Sequence, residues 1–203
     1  MIEFIGQFKS IPYKKLKSFY DEAKLKNQHS IEALCLSTSH NNKPSSRYVN
    51  IKYIKDNELV FFSNYHSRKG KEIDKNSNFA AIFFWNFIGV QIRLEGNIQR
   101  ISPSESDAHF KKREINKNIL AISSNQSCII DSYEAVKEKY KTVKNKFKNK
   151  PNYGIKRPKY WGGYSLRPNK IEFWESHKNR LNKRHMFEFI HKDNKWIDYF
   201  LEP

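Results

Sequence analysis

The sequence predicts an α+β fold, mainly β: an antiparallel, Greek-key-like barrel with peripheral helices. Six or more short apolar or alternating runs occur along the chain. Only three or so helical patterns lie between them, and turn-forming residues separate the runs. Such strands join as hairpins, whereas a parallel sheet needs a crossover helix after nearly every strand. At 203 residues one domain over residues 1–203 is expected, with 1–11 a short N-terminal segment. Hydrophobic residues at 38% and aromatics at 15% set the chain apart from disordered composition although 29% is charged.

Residues 12–27 read as an amphipathic helix, because Leu16, Phe19, Tyr20 and Ala23 recur at helical spacing among lysines and acids. Residues 31–37, 47–54 and 59–62 are strand-like, the second through Tyr48, Val49, Ile51 and Tyr53, and Asn41-Asn42-Lys43-Pro44 is a turn. After Asn64-Tyr65-His66-Ser67 a short helix runs to about residue 75. The apolar run 79–85 is too short for a typical helix and reads as a buried strand. From 90 to 98, Val90, Ile92, Leu94 and Ile98 alternate with Gln91, Arg93, Glu95 and Asn97, leaving one polar face free. Ser102-Pro103-Ser104-Glu105 carries an N-cap serine, a proline at the first helical position and a glutamate at the third, a capping box. Asp131-Ser132-Tyr133-Glu134 opens another helix with Tyr133, Val136, Tyr140, Val143 and Phe147 as its stripe, ended near Asn149 by Pro151. Past Trp161, strand-like pieces lie around Tyr164 and over 171–174, 186–190 and 196–200. Repeats and low-complexity segments are absent.

A net charge of +17 attracts anions: nucleic acid, acidic membranes or phosphorylated small molecules. Lysine is spread along the chain instead of forming a block, so a solvated surface ranks first, phosphate ligands second and nucleic acid third. Cys35 and Cys128 lie among apolar or small residues with no Cys/His cluster, so reduced structural cysteines and no metal site are expected. The N-terminus lacks the apolar core of a signal peptide and no run approaches about 20 apolar residues, which points to a cytoplasmic protein with no membrane partner. Dinucleotide-binding, Walker, zincin and Gly-x-Ser-x-Gly motifs are absent, and no serine or cysteine nucleophile has support.

Three groups are candidates for anion chemistry. Ser67-Arg68-Lys69-Gly70-Lys71 opens a helix, where backbone N–H groups favour phosphate while cations oppose the dipole. A bound anion explains that placement, and the general abundance of lysine explains it as well. His109 and Arg113 lie four apart after Ser102 with Lys112 and Lys117 close by, a second anion grip or a solvated face. Arg180, Asn182 and Arg184 follow Phe173-Trp174, suited to a flat anionic ligand or simply a surface loop.

Taken in order, Pro44-Ser45-Ser46-Arg47 with Lys52, Phe62-Ser63-Asn64, Ser67-Arg68-Lys69, Gln91, Gln126-Ser127, Trp161-Gly162-Gly163 and Ile171-Glu172-Phe173-Trp174 through Arg180-Leu181 to Arg184 resemble the pyridoxamine 5′-phosphate oxidase family. The resemblance runs from about residue 12 to the end of the chain. It implies a split β-barrel that binds FMN at the interface of a homodimer. It assigns the cofactor to Arg47, Lys52, Phe62, Ser63, Arg68, Lys69, Gln91, Gln126, Ser127, Trp174 and Arg184. The phosphate of a small aromatic substrate falls to Lys52, His109, Arg113 and Lys117, and its ring to Arg180 and Asn182 as catalytic residues.

The substrate side departs from the family pattern. Tyrosine is usual where His109 stands, serine where Lys117 stands and histidine where Asn182 stands, and the segment ahead of the first helix is short. The implied activity is oxidation of pyridoxamine or pyridoxine 5′-phosphate to pyridoxal 5′-phosphate with O2 as acceptor. The alternatives are a paralogous flavin oxidase acting on another reduced aromatic, as in phenazine pathways, and a non-catalytic flavin-binding protein.

Overall fold

The structure, a computed structural model, describes residues 1–55, 57–148 and 154–203; the expected helix end at Asn149 and Pro151 lies outside them. Along the described chain run β1 (Glu3–Ile5), α1 (Ile11–Leu25), β2 (Ala33–His40), β3 (Lys43–Asn50), β4 (Tyr53–Lys55), β5 (Glu58–Asn64), α2 (Arg68–Lys75), β6 (Asn78–Trp85) and β7 (Val90–Arg100). Then come α3 (Pro103–Lys112), α4 (Ile115–Ser123), α5 (Tyr133–Lys146), β8 (Trp161–Glu175), β9 (Lys183–Ile190) and β10 (Lys195–Leu201). One sheet runs β1-β4-β5-β8-β7-β6-β2-β3, with β9 on β8 and β10 on β9. The expected α+β, mainly antiparallel fold is thus observed, with one parallel pair added, β1 on β4.

The 41–44 turn is a two-residue hairpin. Asn41 and Asn42 have φ of 50° and 57° with His40 opposite Lys43, the left-handed pair that asparagine tolerates and that matches strand twist. The strand expected over 47–54 breaks in its middle because the chain changes partner there. Ile51 N–H donates to the Glu32 carbonyl at 2.9 Å, and the next N–H, of Lys52, to the Val60 carbonyl at 2.8 Å. β3 therefore stays with β2 while β4 joins β5, and the handover at Lys52 links the two ends of the strand path into a barrel.

The separate pieces expected around Tyr164 and 171–174 are one strand of 15 residues. The first part of β8 pairs with β5 and its last part with β9, while β7 follows its other edge. The change falls at a bulge: Glu95 faces Lys170 but Gly96 faces Pro168. A Cβ on Gly96 would sit 2.2 Å from the Arg167 carbonyl oxygen, so only glycine lets the strands approach, and Pro168 occupies a place where the ladder is already interrupted. One edge shared between two partners splits the barrel.

Leu34, Leu36, Phe61, Phe83, Ile92, Leu166 and Phe173 fill the interior, and Tyr13, Leu16, Tyr20 and Ala23 of α1 pack onto it. Each such aliphatic or aromatic side chain contributes about 1.5–3 kcal/mol by leaving water. A smaller cluster of Phe110, Ile155 and Trp161, flanked by Phe62 and Ile115, holds α3 and α4 on the outside of β5 and β8.

Three expectations are corrected. The run 79–85 is buried on one face only: Phe79, Ala81, Phe83 and Trp85 point inward, and Phe84 is 58% exposed. Its second face lies on the outside of this single chain. The helix opened at Ser102 stops at Lys112, where Arg113 turns to ψ 148°, and α4 follows as a separate helix. The stripe of α5 lies largely at the surface, since the helix has no buried residue and Tyr133 is 72% exposed, while Phe147 at its end packs against the smaller cluster. Among the described residues no helix is long and apolar enough to cross a membrane.

Candidate functional site

The start of α2 is built by its own cap. Ser67 Oγ accepts from Gly70 N–H at 3.3 Å and donates to the Asn64 carbonyl at 2.7 Å. A Cβ on Gly70 would lie 2.1 Å from the Tyr65 carbonyl oxygen, so glycine lets the first turn press against the end of β5. This places Arg68 and Lys69 in that turn. Lys69 is buried, and its Nζ donates to Ser63 Oγ at 2.9 Å and Ser67 Oγ at 3.4 Å. Ser63 Oγ in turn donates to Gln126 Oε1 at 3.2 Å, which also accepts from Asn64 N–H at 3.3 Å. Burial first, then Arg47, lowers the Lys69 pKa to about 8, against the opposing pull of Glu72. Ser127 follows in a left-handed conformation, φ 70°. It shares a hollow of about 500 Å³ with His66, Arg68, Lys71 and Cys128. Cys128, expected to be structural, is an exposed free thiol.

Behind this turn Glu72 is almost fully buried. Its Oε2 accepts from Thr38 Oγ at 2.6 Å, Ser45 Oγ at 2.7 Å and an Arg47 terminal nitrogen at 3.0 Å, and its Oε1 from Arg68 Nε at 2.8 Å. Burial works against the charged carboxylate, but hydrogen bonds from Thr38, Ser45, Arg68 and Arg47 outweigh it and hold the pKa at about 2. Arg47 also donates to Thr38 Oγ at 2.6 Å and to Ser45.

On the outer face of β5 the His109 imidazole lies flat on Phe62, centroids 3.6 Å apart and planes 8° from parallel. Its Nδ1 is 2.7 Å from the Tyr53 hydroxyl. Burial, followed by Arg113, Lys52 and Lys112, pushes its pKa down to about 4, so the ring is neutral at pH 7. The Arg113 guanidinium stands over Trp161 at 4.8 Å and donates to the Lys117 carbonyl at 2.8 Å. His109 and Arg113 were expected on one helical face; they instead converge on Trp161 from α3 and from the residue that caps it. A cavity of about 230 Å³ between Phe62, Ser63, Arg113, Gln126 and Trp161 joins this group to the Lys69 group. A Cβ on Gly163 would lie 2.4 Å from Ile101 Cδ1 and 2.9 Å from the Phe62 ring, so glycine lets both side chains pack against β8 here. Lys117 turns to the surface and pairs with Glu114 at 2.8 Å.

The remaining candidates lie elsewhere. Gln91, Trp174 and Arg184 are register partners on β7, β8 and β9, so they share the outward face with Phe84, the partner of Gln91 on β6. Arg184 Nε donates to Glu172 Oε1 at 2.6 Å, and Arg93 to Glu172 Oε2 at 2.7 Å. Arg180 stands in the β8–β9 loop with φ 61°, and Asn182 Oδ1 accepts from His177 N–H at 3.1 Å. Ser63 is opposite Gly162 at one end of β8, and Trp174 is near the other, about 40 Å of strand away at 3.3 Å per residue. The candidates thus form two groups: Arg47, Lys52, Phe62, Ser63, Arg68, Lys69, His109, Arg113, Gln126 and Ser127 at one place, and Gln91, Trp174, Arg180, Asn182 and Arg184 at another.

Sequence reasoning missed Glu72, Thr38, Ser45 and Tyr53 as parts of the first group. Arg68 and Glu72 at i,i+4 on a helix were a legible signal; the convergence of Thr38 and Ser45 from a hairpin was not.

The family model described as pyridoxamine 5′-phosphate oxidase matches residues 21–147, and the one described as pyridoxine 5′-phosphate oxidase C-terminal dimerisation region matches residues 161–203. A pyridoxine/pyridoxamine 5′-phosphate oxidase of Leptospira biflexa is 40% identical over 186 residues, 91% of this chain and 85% of the relative. That of Trichormus variabilis is 34% identical over 193 residues, 95% and 88% of the two chains. Among solved structures, PhzG from Burkholderia lata in complex with tetrahydrophenazine-1-carboxylic acid superposes with a TM-score of 0.86 at 26% identity, covering 98% of each chain. A pyridoxamine 5′-phosphate oxidase-related, FMN-binding protein of Nostoc punctiforme shares the fold, with a TM-score of 0.77 at 14% identity over 96% and 99%.

Proposed function

Because the chain belongs to the pyridoxamine 5′-phosphate oxidase family, we propose that it is an FMN-dependent oxidase that converts pyridoxamine or pyridoxine 5′-phosphate to pyridoxal 5′-phosphate, with O2 as acceptor. The observation that carries this is the buried Lys69 at the start of α2, linked to Ser63 and through it to Gln126, with Arg47 and Arg68 beside it. These three cations share one carboxylate, that of Glu72, and the excess of positive charge around the buried Lys69 suits the phosphate of FMN.

The residues fit that cofactor. Arg47, Arg68, Lys69 and Ser63 would hold its phosphate, and Lys52, Phe62, Gln126 and Ser127 flank the same place. The hydride acceptor and the route to O2 are what FMN supplies when bound. The chain's own work is binding and orientation: Arg113 and Lys52 hold the substrate phosphate, and neutral His109 with Tyr53 offers a hydrogen bond but no charge. Lys117 would have to leave Glu114 to join them.

Gln91, Trp174, Arg184, Arg180 and Asn182 would complete the site from a second copy. Their distance along β8 from Ser63 supports a homodimer with FMN at the interface. So does the outer face of β6, where Phe84 is 58% exposed and Ile82 37%.

Purified protein should be yellow, and pyridoxamine 5′-phosphate added without oxygen should bleach it, with aldehyde formed on one turnover. Full flavin loading without bleaching would favour oxidation of another reduced aromatic. That second reading has Asn182 and the likeness to PhzG in its favour.

A further inference from the structure

We propose that Glu72 is a positioning residue for the cofactor phosphate: its carboxylate ties Arg47 of β3 to Arg68 of α2 and sets both beside Lys69, so that three cations from two elements act on one anion. This rests on the FMN reading above. The geometry is specific. Each carboxylate oxygen takes one arginine, Oε2 a terminal nitrogen of Arg47 at 3.0 Å and Oε1 the Nε of Arg68 at 2.8 Å. Ser45 Oγ lies within 2.9 Å of both oxygens and Thr38 Oγ within 2.6 Å of Oε2, so the carboxylate cannot rotate without breaking several bonds. Arg68 is engaged only through Nε among the described residues, which leaves both terminal nitrogens of its exposed guanidinium for a ligand. Arg47 has both terminal nitrogens occupied, by Leu36 and Thr38 on one and Ser45 and Glu72 on the other, and contributes its Nε and its charge.

Three cations against one carboxylate leave an excess that matches a phosphate dianion. Charge counting and positioning then predict opposite results. If Glu72 merely competed with phosphate, neutralising it would tighten FMN binding. If it positions the arginines, neutralising it would weaken binding, since charge-assisted bonds depend on alignment. Lys69 supplies a second readout. It faces Arg47 of β3, Glu72 of its own helix and the uncharged Ser63 of β5, and of the two charged groups Glu72 alone favours its charged form.

The test is titration of the flavin-free full-length protein with FMN and with riboflavin, which lacks the phosphate, for wild type and Glu72→Gln. FMN affinity should fall about tenfold and riboflavin affinity by less than about twofold. FMN affinity of the wild type should fall as the pH rises above the Lys69 pKa of about 8, and in the variant this fall should begin at lower pH. Thr38→Val, which removes the hydroxyl between Arg47 and Glu72 without changing charge, should weaken FMN in the same direction by about threefold and decides the matter if Glu72→Gln does not fold. Unchanged or tighter FMN binding, or an equal loss for riboflavin, overturns the inference alone. Failure of the wild type to bind FMN overturns the cofactor reading and the inference with it.

Discussion

At His109 an imidazole is stacked on Phe62 and hydrogen-bonded to Tyr53, among Arg113, Lys52 and Lys112. Its folded pKa of about 4 lies below the ordinary 6.5, so the unfolded chain takes up a proton first as the pH falls. The stabilisation tied to the neutral ring is therefore complete above about pH 6.5 and lost towards pH 4. After allowance for partial exposure this amounts to about 1 kcal/mol between pH 7 and 5. His109→Phe keeps the stack and removes the titration; urea midpoints at the two pH values should then move closer together than in wild type. Glu72 acts in a separate window, because its pKa is lowered from 4.5 to about 2 and its contribution is lost only below about pH 4.5. At this scale the sequence named His109 and Lys69, since motif and charge are local. Their neutral or depressed states depend on burial, which the sequence does not display.

Among the elements, α3 shows how far local signals reach. Its start was legible: Glu105 N–H donates to Ser102 Oγ at 3.2 Å and Glu105 Oε2 accepts from Ser102 N–H at 3.2 Å, the capping box read from four residues. Ser102→Ala should cost about 1 kcal/mol in a urea titration and leave flavin affinity unchanged, because the cap lies at the far end of the helix from Arg113. The stop at Lys112 was not legible. Arg113 leaves the helix to reach Trp161 and Lys117, and that pull comes from a strand some fifty residues later. The break between β3 and β4 has the same kind of cause, as Lys52 bonds to Val60 where Ile51 bonds to Glu32.

For the whole molecule the two residue groups at opposite ends of β8 make a direct prediction. Lys69→Met should lose FMN, and Arg180→Ala should keep FMN but lose most turnover. If each site takes one group from each subunit, refolding the two variants together at equal amounts gives mixed dimers in half of cases, each with one intact site. About a quarter of wild-type activity should return. No recovery in the mixture, measured as aldehyde formed per protein, would mean that each chain carries a complete site.

The sequence by itself determined the mainly antiparallel fold, most strand positions, the start of α2, the cap of α3 and the family to which the residues belong. These follow from period, turn chemistry and ordered motifs, all of them short-range or linear properties of a chain. Tertiary structure alone decided that residues 79–85 bury one face, that β8 divides its edge between β5 and β9, and that Glu72 unites Arg47 with Arg68. It also decided that the cofactor and substrate candidates fall into two distant groups. Each depends on which strand lies beside which, and register brings together residues whose separation in sequence carries no trace of it.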